Sequence, residues 1–277
     1  MVDKKLYRLV NREAHSEYRG NSRTKVIKVS GVEIGGTRSV VIAGPCAVES
    51  REQTLEIARA VKQAGADMLR GGAYKPRTSP YEFQGLREKG LEILAEAKEK
   101  TGLPIVTEVM DPRLVGLVGQ YADLLQIGSR NMQNFPLLVE VGRYNKPVLL
   151  KRGLCATLEE WLCSAEYIAK EGNTEIILCE RGVRTAASGE YDRYTLDLNV
   201  ITPAKISTFL PIIVDPSHST GTAAMVPHAS RAAISSGAQG LLIEAIGEHT
   251  DRKTIKCDEA QGIRPSTLKQ IIDSIRV

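Results

Sequence analysis

Ala66-Asp67-Met68-Leu69-Arg70-Gly71-Gly72-Ala73-Tyr74-Lys75-Pro76-Arg77-Thr78-Ser79-Pro80 carries the pattern on which the fold turns. A mostly apolar run of strand length ends at a cation and passes into a segment that sets Arg70, Lys75 and Arg77 among glycines and prolines. Gly71 and Gly72 allow backbone conformations closed to other residues and let a ligand approach the main chain. Pro76 and Pro80 stiffen the segment and deny it a helix. By itself the stretch reads equally as a cradle for anions or as a solvated basic turn.

The same step from apolar run to polar end recurs through the chain, at residues 39–43, 66–70, 104–108, 123–128, 147–151, 175–181, 211–215 and 240–244. Helical signals fill the intervals. Ser50 with Gln53 reads as a capping box ahead of Leu55, Ala58 and Val61, with Gly65 as the stop. Thr157 with Glu160 repeats it, with Gly172 closing the helix. Pro227 suits a first helical turn, Ser266 precedes the last helix, and residues 185–208 read as a long loop followed by a short helix. Strands alternating with helices over about 240 residues predict an α/β fold, a (β/α)8 TIM barrel. A doubly wound open sheet is the competitor, but no Gly-x-Gly-x-x-Gly follows the first run. Ahead of the barrel, residues 24–29 and 32–34, joined through Ser30-Gly31, predict a β-hairpin. The expected division is residues 1–36 as N-terminal arm and hairpin and residues 37–277 as the catalytic barrel.

Composition narrows the function. With 37 Lys and Arg against 33 Asp and Glu, the net charge of +4 gives no general field for a polyanion, so a nucleic-acid partner is not expected. The first 20 residues intersperse charges and carry no continuous apolar core, so they are not a signal peptide, and no stretch reaches membrane-spanning length. Five cysteines, an odd number without zinc-ribbon spacing, fit a reduced cytoplasmic protein.

In a barrel the chemistry lies at the C-terminal ends of the strands. Here those ends carry Cys46; Arg70, Lys75 and Arg77; Glu108; Gln126 and Arg130; Lys151 and Arg152; Glu180, Arg181 and Arg184; Asp215 and His218; and Glu244. Period two sets Leu149, Ile213 and Leu242 inside the barrel beneath Lys151, Asp215 and Glu244. Any one of these is ordinarily a solvated charge. Cations from several strands gathered on one face of a nearly neutral protein repel one another unless an anion offsets them. A small, multiply anionic substrate bearing phosphate or carboxylate groups is therefore expected. Cys46, His218, Glu244 and an acid beyond the eighth strand, Asp258 being best placed, offer sulfur, nitrogen and oxygen donors suited to a divalent Mn, Fe, Co or Zn ion.

Six motifs, Gly44-Pro45-Cys46-Ala47-Val48-Glu49-Ser50, Lys75-Pro76-Arg77-Thr78-Ser79-Pro80, Ile127-Gly128-Ser129-Arg130-Asn131-Met132, Lys151-Arg152-Gly153, Cys179-Glu180-Arg181-Gly182 and Asp215-Pro216-Ser217-His218-Ser219, closely resemble the 3-deoxy-D-arabino-heptulosonate 7-phosphate (DAHP) synthases. The resemblance is to the type similar to 3-deoxy-D-manno-octulosonate 8-phosphate synthase, and it runs from about residue 25 to the end. It implies a metal-dependent barrel, usually a homotetramer, that joins phosphoenolpyruvate to erythrose 4-phosphate and releases phosphate, the first step of the shikimate pathway to aromatic amino acids. It implies that Ser129, Arg130, Lys151 and Arg181 hold the phosphate of phosphoenolpyruvate, with Arg70 and Lys75 near its carboxylate and reacting carbons, and that Arg77 and Thr78 receive erythrose 4-phosphate. Cys46, His218, Glu244 and Asp258 match the family's metal ligands, with Asp251 near Asp258 in a segment of variable length. In the implied chemistry Lys75 and the metal polarise the aldehyde, and water then adds with Glu108 or the metal to activate it.

The alternative is the octulosonate synthase itself, which uses arabinose 5-phosphate and resembles Lys-Ala-Asn-Arg-Ser/Thr where this chain has Lys75-Pro76-Arg77-Thr78. An idle, ligand-binding barrel would lack Lys75 or part of the metal set. Only some 35 residues precede the barrel, so no amino-acid-sensing domain and no feedback inhibition by aromatic amino acids are expected.

Overall fold

A computed structural model describes residues 6–186 and 193–276. The first five residues of the expected arm, and residues 187–192 of the expected long loop, lie outside the described residues. The predicted hairpin forms from β1 (Ile27–Val29) and β2 (Val32–Ile34), paired antiparallel with Val29 opposite Val32. Its two connecting residues have positive φ, 44° at Ser30 and 89° at Gly31, which matches the right-handed twist of the strands they join.

The chain then alternates: β3 (Val40–Gly44), α1 (Arg51–Ala64), β4 (Met68–Arg70), α2 (Glu88–Thr101), β5 (Ile105–Glu108), α3 (Val115–Tyr121), β6 (Leu124–Ile127), α4 (Phe135–Tyr144), β7 (Val148–Lys151), α5 (Leu158–Lys170), β8 (Ile176–Glu180), α6 (Ile201–Ser207), β9 (Ile212–Val214), α7 (Pro216–Thr220), α8 (Val226–Ser235), β10 (Gly240–Glu244) and α9 (Pro265–Ile275). Strands β3 to β10 run parallel in sequence order and close where β10 pairs with β3, so the fold is a (β/α)8 barrel. Each apolar run of the sequence marks one strand: β10 matches its run, β3 is shifted one residue on, to Gly44, and the other six strands are shorter than their runs. Arg181 and Asp215 fall one residue past β8 and β9.

The capping expectations are partly met. Ser50 accepts from Gln53 N, but the Gln53 side-chain oxygen is buried without a partner, so the box is half formed. Thr157 and Glu160 form the reciprocal box. Ser266 is not a cap: Pro265 opens α9, and the Ser266 hydroxyl donates to Glu248 instead. The short helix α7 was not read from the sequence. It begins because Pro216 suits a first helical turn and the Asp215 side chain accepts from His218 N at 3.0 Å.

The core has two layers. Outward-facing strand residues pack against the helices, with Trp161, Leu91 and Leu94 fully buried. Ile42, Met68, Val106, Leu124, Leu149, Ile177, Ile213 and Leu242 fill the barrel interior, and Ile27, Val29 and Ile34 of the hairpin join them. The hairpin thus plugs the end where the strands begin. Each such buried isoleucine stabilises the fold by roughly 1.5–3 kcal/mol relative to exposure.

The arm is more firmly held than its weak patterning suggested. Glu166 on α5 accepts from the N–H groups of Arg8, Leu9 and Val10. The buried Arg12 guanidinium donates to the carbonyls of Tyr18, Asn21, Arg23, Lys205 and Thr208.

Candidate active site

At the opposite end a cavity is lined by Arg70, Lys75, Arg130, Lys151, Arg181 and His218, among others. Strand periodicity sets out four of these side chains, each two positions past an interior apolar residue: Arg70 after Met68, Glu108 after Val106, Gln126 after Leu124 and Lys151 after Leu149. Arg77, Thr78, Glu108 and Ser129 line the same cavity.

At one side of the cavity, where His218 and Asp258 line it, donor atoms of Cys46, His218, Glu244 and Asp258 all lie within 4.8 Å of one another. Asp251, the nearby alternative, instead caps the short turn Arg252–Thr254. His218 is aimed by α7, with Nδ1 2.8 Å from Asp215 Oδ2 but not aligned as a hydrogen bond. That leaves Nε2 facing the cluster, 3.8 Å from Cys46 Sγ and 3.7 Å from Asp258 Oδ2. Contact with Cys257, then burial, pushes the Cys46 thiol up to about 12, and burial, then Cys46, holds Glu244 well above the usual carboxylate range. Sulfur, imidazole and carboxylate donors gathered this closely, with the Cys46 thiol and the Glu244 carboxyl held from ionising, are chemistry a divalent cation offsets, so the residues fit a metal ion.

Lys75 lies between cluster and cavity, its ammonium 3.1 Å from Cys46 Sγ and 3.3 Å from Cys46 O. Burial acts to discharge it, but Cys46, Cys257 and Glu108 outweigh burial and raise its pKa above the ordinary lysine value. Gly71 and Gly72 serve a different end from the one their sequence suggested. Neither has positive φ, and a β-carbon at Gly72 would meet Lys75 Cδ at 2.6 Å and Cys46 O at 2.8 Å. The close approach they permit is between protein groups. Gly128 likewise makes room for Glu108, whose Oε1 would lie 2.0 Å from a β-carbon there. Burial raises the Glu108 carboxyl above its ordinary value against the pull of Lys75, Lys151 and Arg70.

The basic face differs in membership from the expected one. Arg70 and Arg181 each keep a buried Nη1 without a partner, as does Ser129 at its hydroxyl. Leaving such groups unmade is costly, which points to an anion between them. Arg152 does not line the cavity: it turns into the wall and bonds Glu180 at 3.0 Å and Asp197 at 2.8 Å. Arg184 is exposed and is not part of the lining either. Lys151 is paired with Asp215 at 2.5 Å, and Arg77 with Glu82 at 2.8 Å and Cys257 Sγ at 2.7 Å.

The sequence reading missed several neighbours. Arg193 and Tyr194 line the cavity, Tyr194 stacking under Arg181 at 4.2 Å, and Gln261 bonds Glu244. Cys257, counted only as one of the five cysteines, has its sulfur 3.4 Å from that of Cys46. Its adjacency to Asp258 was the one signal available.

Comparison with known proteins shows the family. A phospho-2-dehydro-3-deoxyheptonate aldolase of Thermotoga maritima is 48% identical over 272 residues, covering 98% of this chain and 77% of its own length. The solved structure of a truncated form of 3-deoxy-D-arabino-heptulosonate 7-phosphate synthase from Thermotoga maritima superposes with a TM-score of 0.86 at 43% identity, over 98% of this chain and 95% of that one. A 2-dehydro-3-deoxyphosphooctonate aldolase of Desulfatibacillum aliphaticivorans is more distant, 30% identical over 258 residues, 87% of this chain and 92% of its own. The model of the DAHP synthetase I family matches residues 21–275, and the chain belongs to that family.

Proposed function

We propose that this barrel is a DAHP synthase, condensing phosphoenolpyruvate with erythrose 4-phosphate and releasing phosphate. The observation that carries the reading is Lys75: a buried ammonium touching one member of a metal-ligand-like cluster, in a cavity where two buried guanidinium nitrogens lack partners. The 48% identity to a phospho-2-dehydro-3-deoxyheptonate aldolase supports it further.

Cys46, His218, Glu244 and Asp258 would hold a divalent Mn, Fe, Co or Zn ion. Such an ion supplies Lewis acidity to a substrate oxygen. Arg70, Arg130, Lys151 and Arg181, with Ser129, bind the phosphate and carboxylate of phosphoenolpyruvate, and Arg77 and Thr78 bind the aldose phosphate. As C3 of phosphoenolpyruvate bonds to the aldehyde carbon, the Lys75 ammonium donates a hydrogen bond and then a proton to the developing alkoxide. Glu108 accepts the proton of the water that bonds to C2. The C2–O bond to phosphate then breaks with the Glu108 proton passing to the leaving phosphate, and the ketone forms as the C2 hydroxyl gives its proton back to Lys75. The raised pKa of Glu108 suits a group that takes a proton and later returns it.

The reading extends to a cytoplasmic homotetramer in the shikimate pathway. Among the described residues no helix is long and apolar enough to cross a membrane, and the five cysteines are free. The rate of this 277-residue chain is expected to be insensitive to phenylalanine and tyrosine.

The deciding assay is phosphate release from phosphoenolpyruvate with erythrose 4-phosphate and arabinose 5-phosphate in parallel, with and without chelator. Release with erythrose 4-phosphate, lost on metal stripping and restored by added Mn, is expected. Release only with arabinose 5-phosphate would assign the octulosonate reaction instead.

A further inference from the structure

Arg193 and Gln261 brace the four-residue cluster from outside. Arg193 Nη1 donates to Asp258 Oδ1 and to Gln261 Oε1, each at 2.9 Å. Gln261 Nε2 in turn donates to Glu244 Oε2 at 2.7 Å. One guanidinium nitrogen therefore reaches two of the four donors, one directly and one through a carboxamide. The chain of bonds has a fixed sense, because a carboxamide whose oxygen is taken by a cation can offer Glu244 only its NH2 group. Gln261 is 1% exposed, so water does not replace its bond to Glu244.

Asp258 divides its oxygens. Oδ1 faces Arg193, while Oδ2 lies 3.2 Å from Cys46 Sγ and 3.7 Å from His218 Nε2. Its backbone sits at φ 54°, a left-handed conformation uncommon for non-glycine residues, so local preference does not hold the side chain in place. Arg193 is itself well seated. A β-carbon at Gly221 would come within 2.8 Å of Arg193 Cβ, and Tyr194 N donates to Ser219 O at 2.9 Å.

We propose that Arg193 and Gln261 are positioning residues that preset Asp258 and Glu244 to receive a divalent cation, Asp258 through Oδ2 alone. The inference rests on reading the cluster as a metal site. Two effects of Arg193 oppose each other: its charge repels a cation, and its bonds hold the carboxylates. The Arg193 side chain is 40% exposed, so solvent screens the repulsion, whereas the Gln261–Glu244 bond is buried and the Arg193–Gln261 bond partly so. Positioning therefore dominates, and removing Arg193 weakens the site.

The test is the dissociation constant of Co2+ for the full chain, measured by competition with a chelator, together with the thiolate-to-cobalt absorption from Cys46. Arg193→Met and Gln261→Met are expected to weaken Co2+ binding by about 10–100-fold, the range for groups that orient metal ligands. The absorption at saturation should persist and the melting temperatures stay near that of the unaltered chain. Arg193→Lys, which keeps the charge and a donor, should recover part of the loss. Arg193→Met binding Co2+ as tightly or more tightly would overturn the proposal. No uptake by the unaltered chain would overturn it together with the metal reading. An unaltered chain that binds Co2+ but turns nothing over would instead fell the proposed reaction.

Discussion

The two ends of the barrel treat buried polar groups in opposite ways. Where the strands begin, charges are saturated: Arg12 donates to five carbonyls, and the Asp67 and Asp123 carboxylates accept from Val41 N and Ile105 N. Between them the hairpin seals the interior with Ile27, Val29 and Ile34. Where the strands end, Arg70 and Arg181 keep bare nitrogens and an ammonium lies against a thiol. One end spends its polar groups on the fold, and the other holds them ready for a ligand. The same division runs through two neighbouring residues, Arg152 satisfied in the wall and Arg181 unsatisfied in the cavity.

The comparison breaks first at Lys75. Lys75→Met should lower kcat by about 10³-fold or more, as removal of a proton donor and charge stabiliser does, while the melting temperature stays near the original. Near-normal turnover would remove Lys75 from the chemistry.

The arginine pair sharpens the contrast. Arg152→Met leaves Glu180 buried without its partner and should cost about 3–5 kcal/mol of stability in denaturant unfolding. Arg181→Met should raise KM for phosphoenolpyruvate by about 10²-fold, the scale of two charged hydrogen bonds, with a smaller loss of stability. Swapped outcomes would show that the wall and cavity assignments are reversed.

At the sealed end, Ile34→Ala should cost about 2–5 kcal/mol of stability by opening a cavity in the plug, with kcat unchanged. A large drop in kcat would show that the two ends are mechanically coupled.

The smallest effect is expected at Asp123. Burial opposes its ionisation, but Lys98, the N–H of Ile105 and Ser30 outweigh burial and hold its pKa below the ordinary value. A depressed folded pKa adds stability that is present above the unfolded value, about 3.9, and lost as pH falls through the folded one. Asp123→Asn should therefore be slightly less stable than the original at pH 7, by about 1 kcal/mol or less. The two should converge below the folded pKa; a constant gap across pH would exclude this ionisation as the cause.

Much of the site was legible because strand period is geometric. Once Met68, Leu149, Ile213 and Leu242 are interior, Arg70, Lys151, Asp215 and Glu244 must point the same way, two residues on. Arg152 was misplaced because a residue just past a strand can turn either way, and what turned it was Glu180 and Asp197, distant in sequence. Arg193, Gln261 and Cys257 escaped notice because they sit on loops, where no period constrains direction.

The sequence by itself determined the alternation of strand and helix, the edge at which chemistry collects, and the family, since these rest on local pattern and on motifs that stay contiguous. Only the tertiary structure decided which cations face the cavity, that Gly72 yields to Lys75 rather than to a ligand, and that Arg193 reaches Asp258 and, through Gln261, Glu244. The reason is physical: a buried polar group is placed by the partner that satisfies it, and that partner is set by how the chain closes on itself.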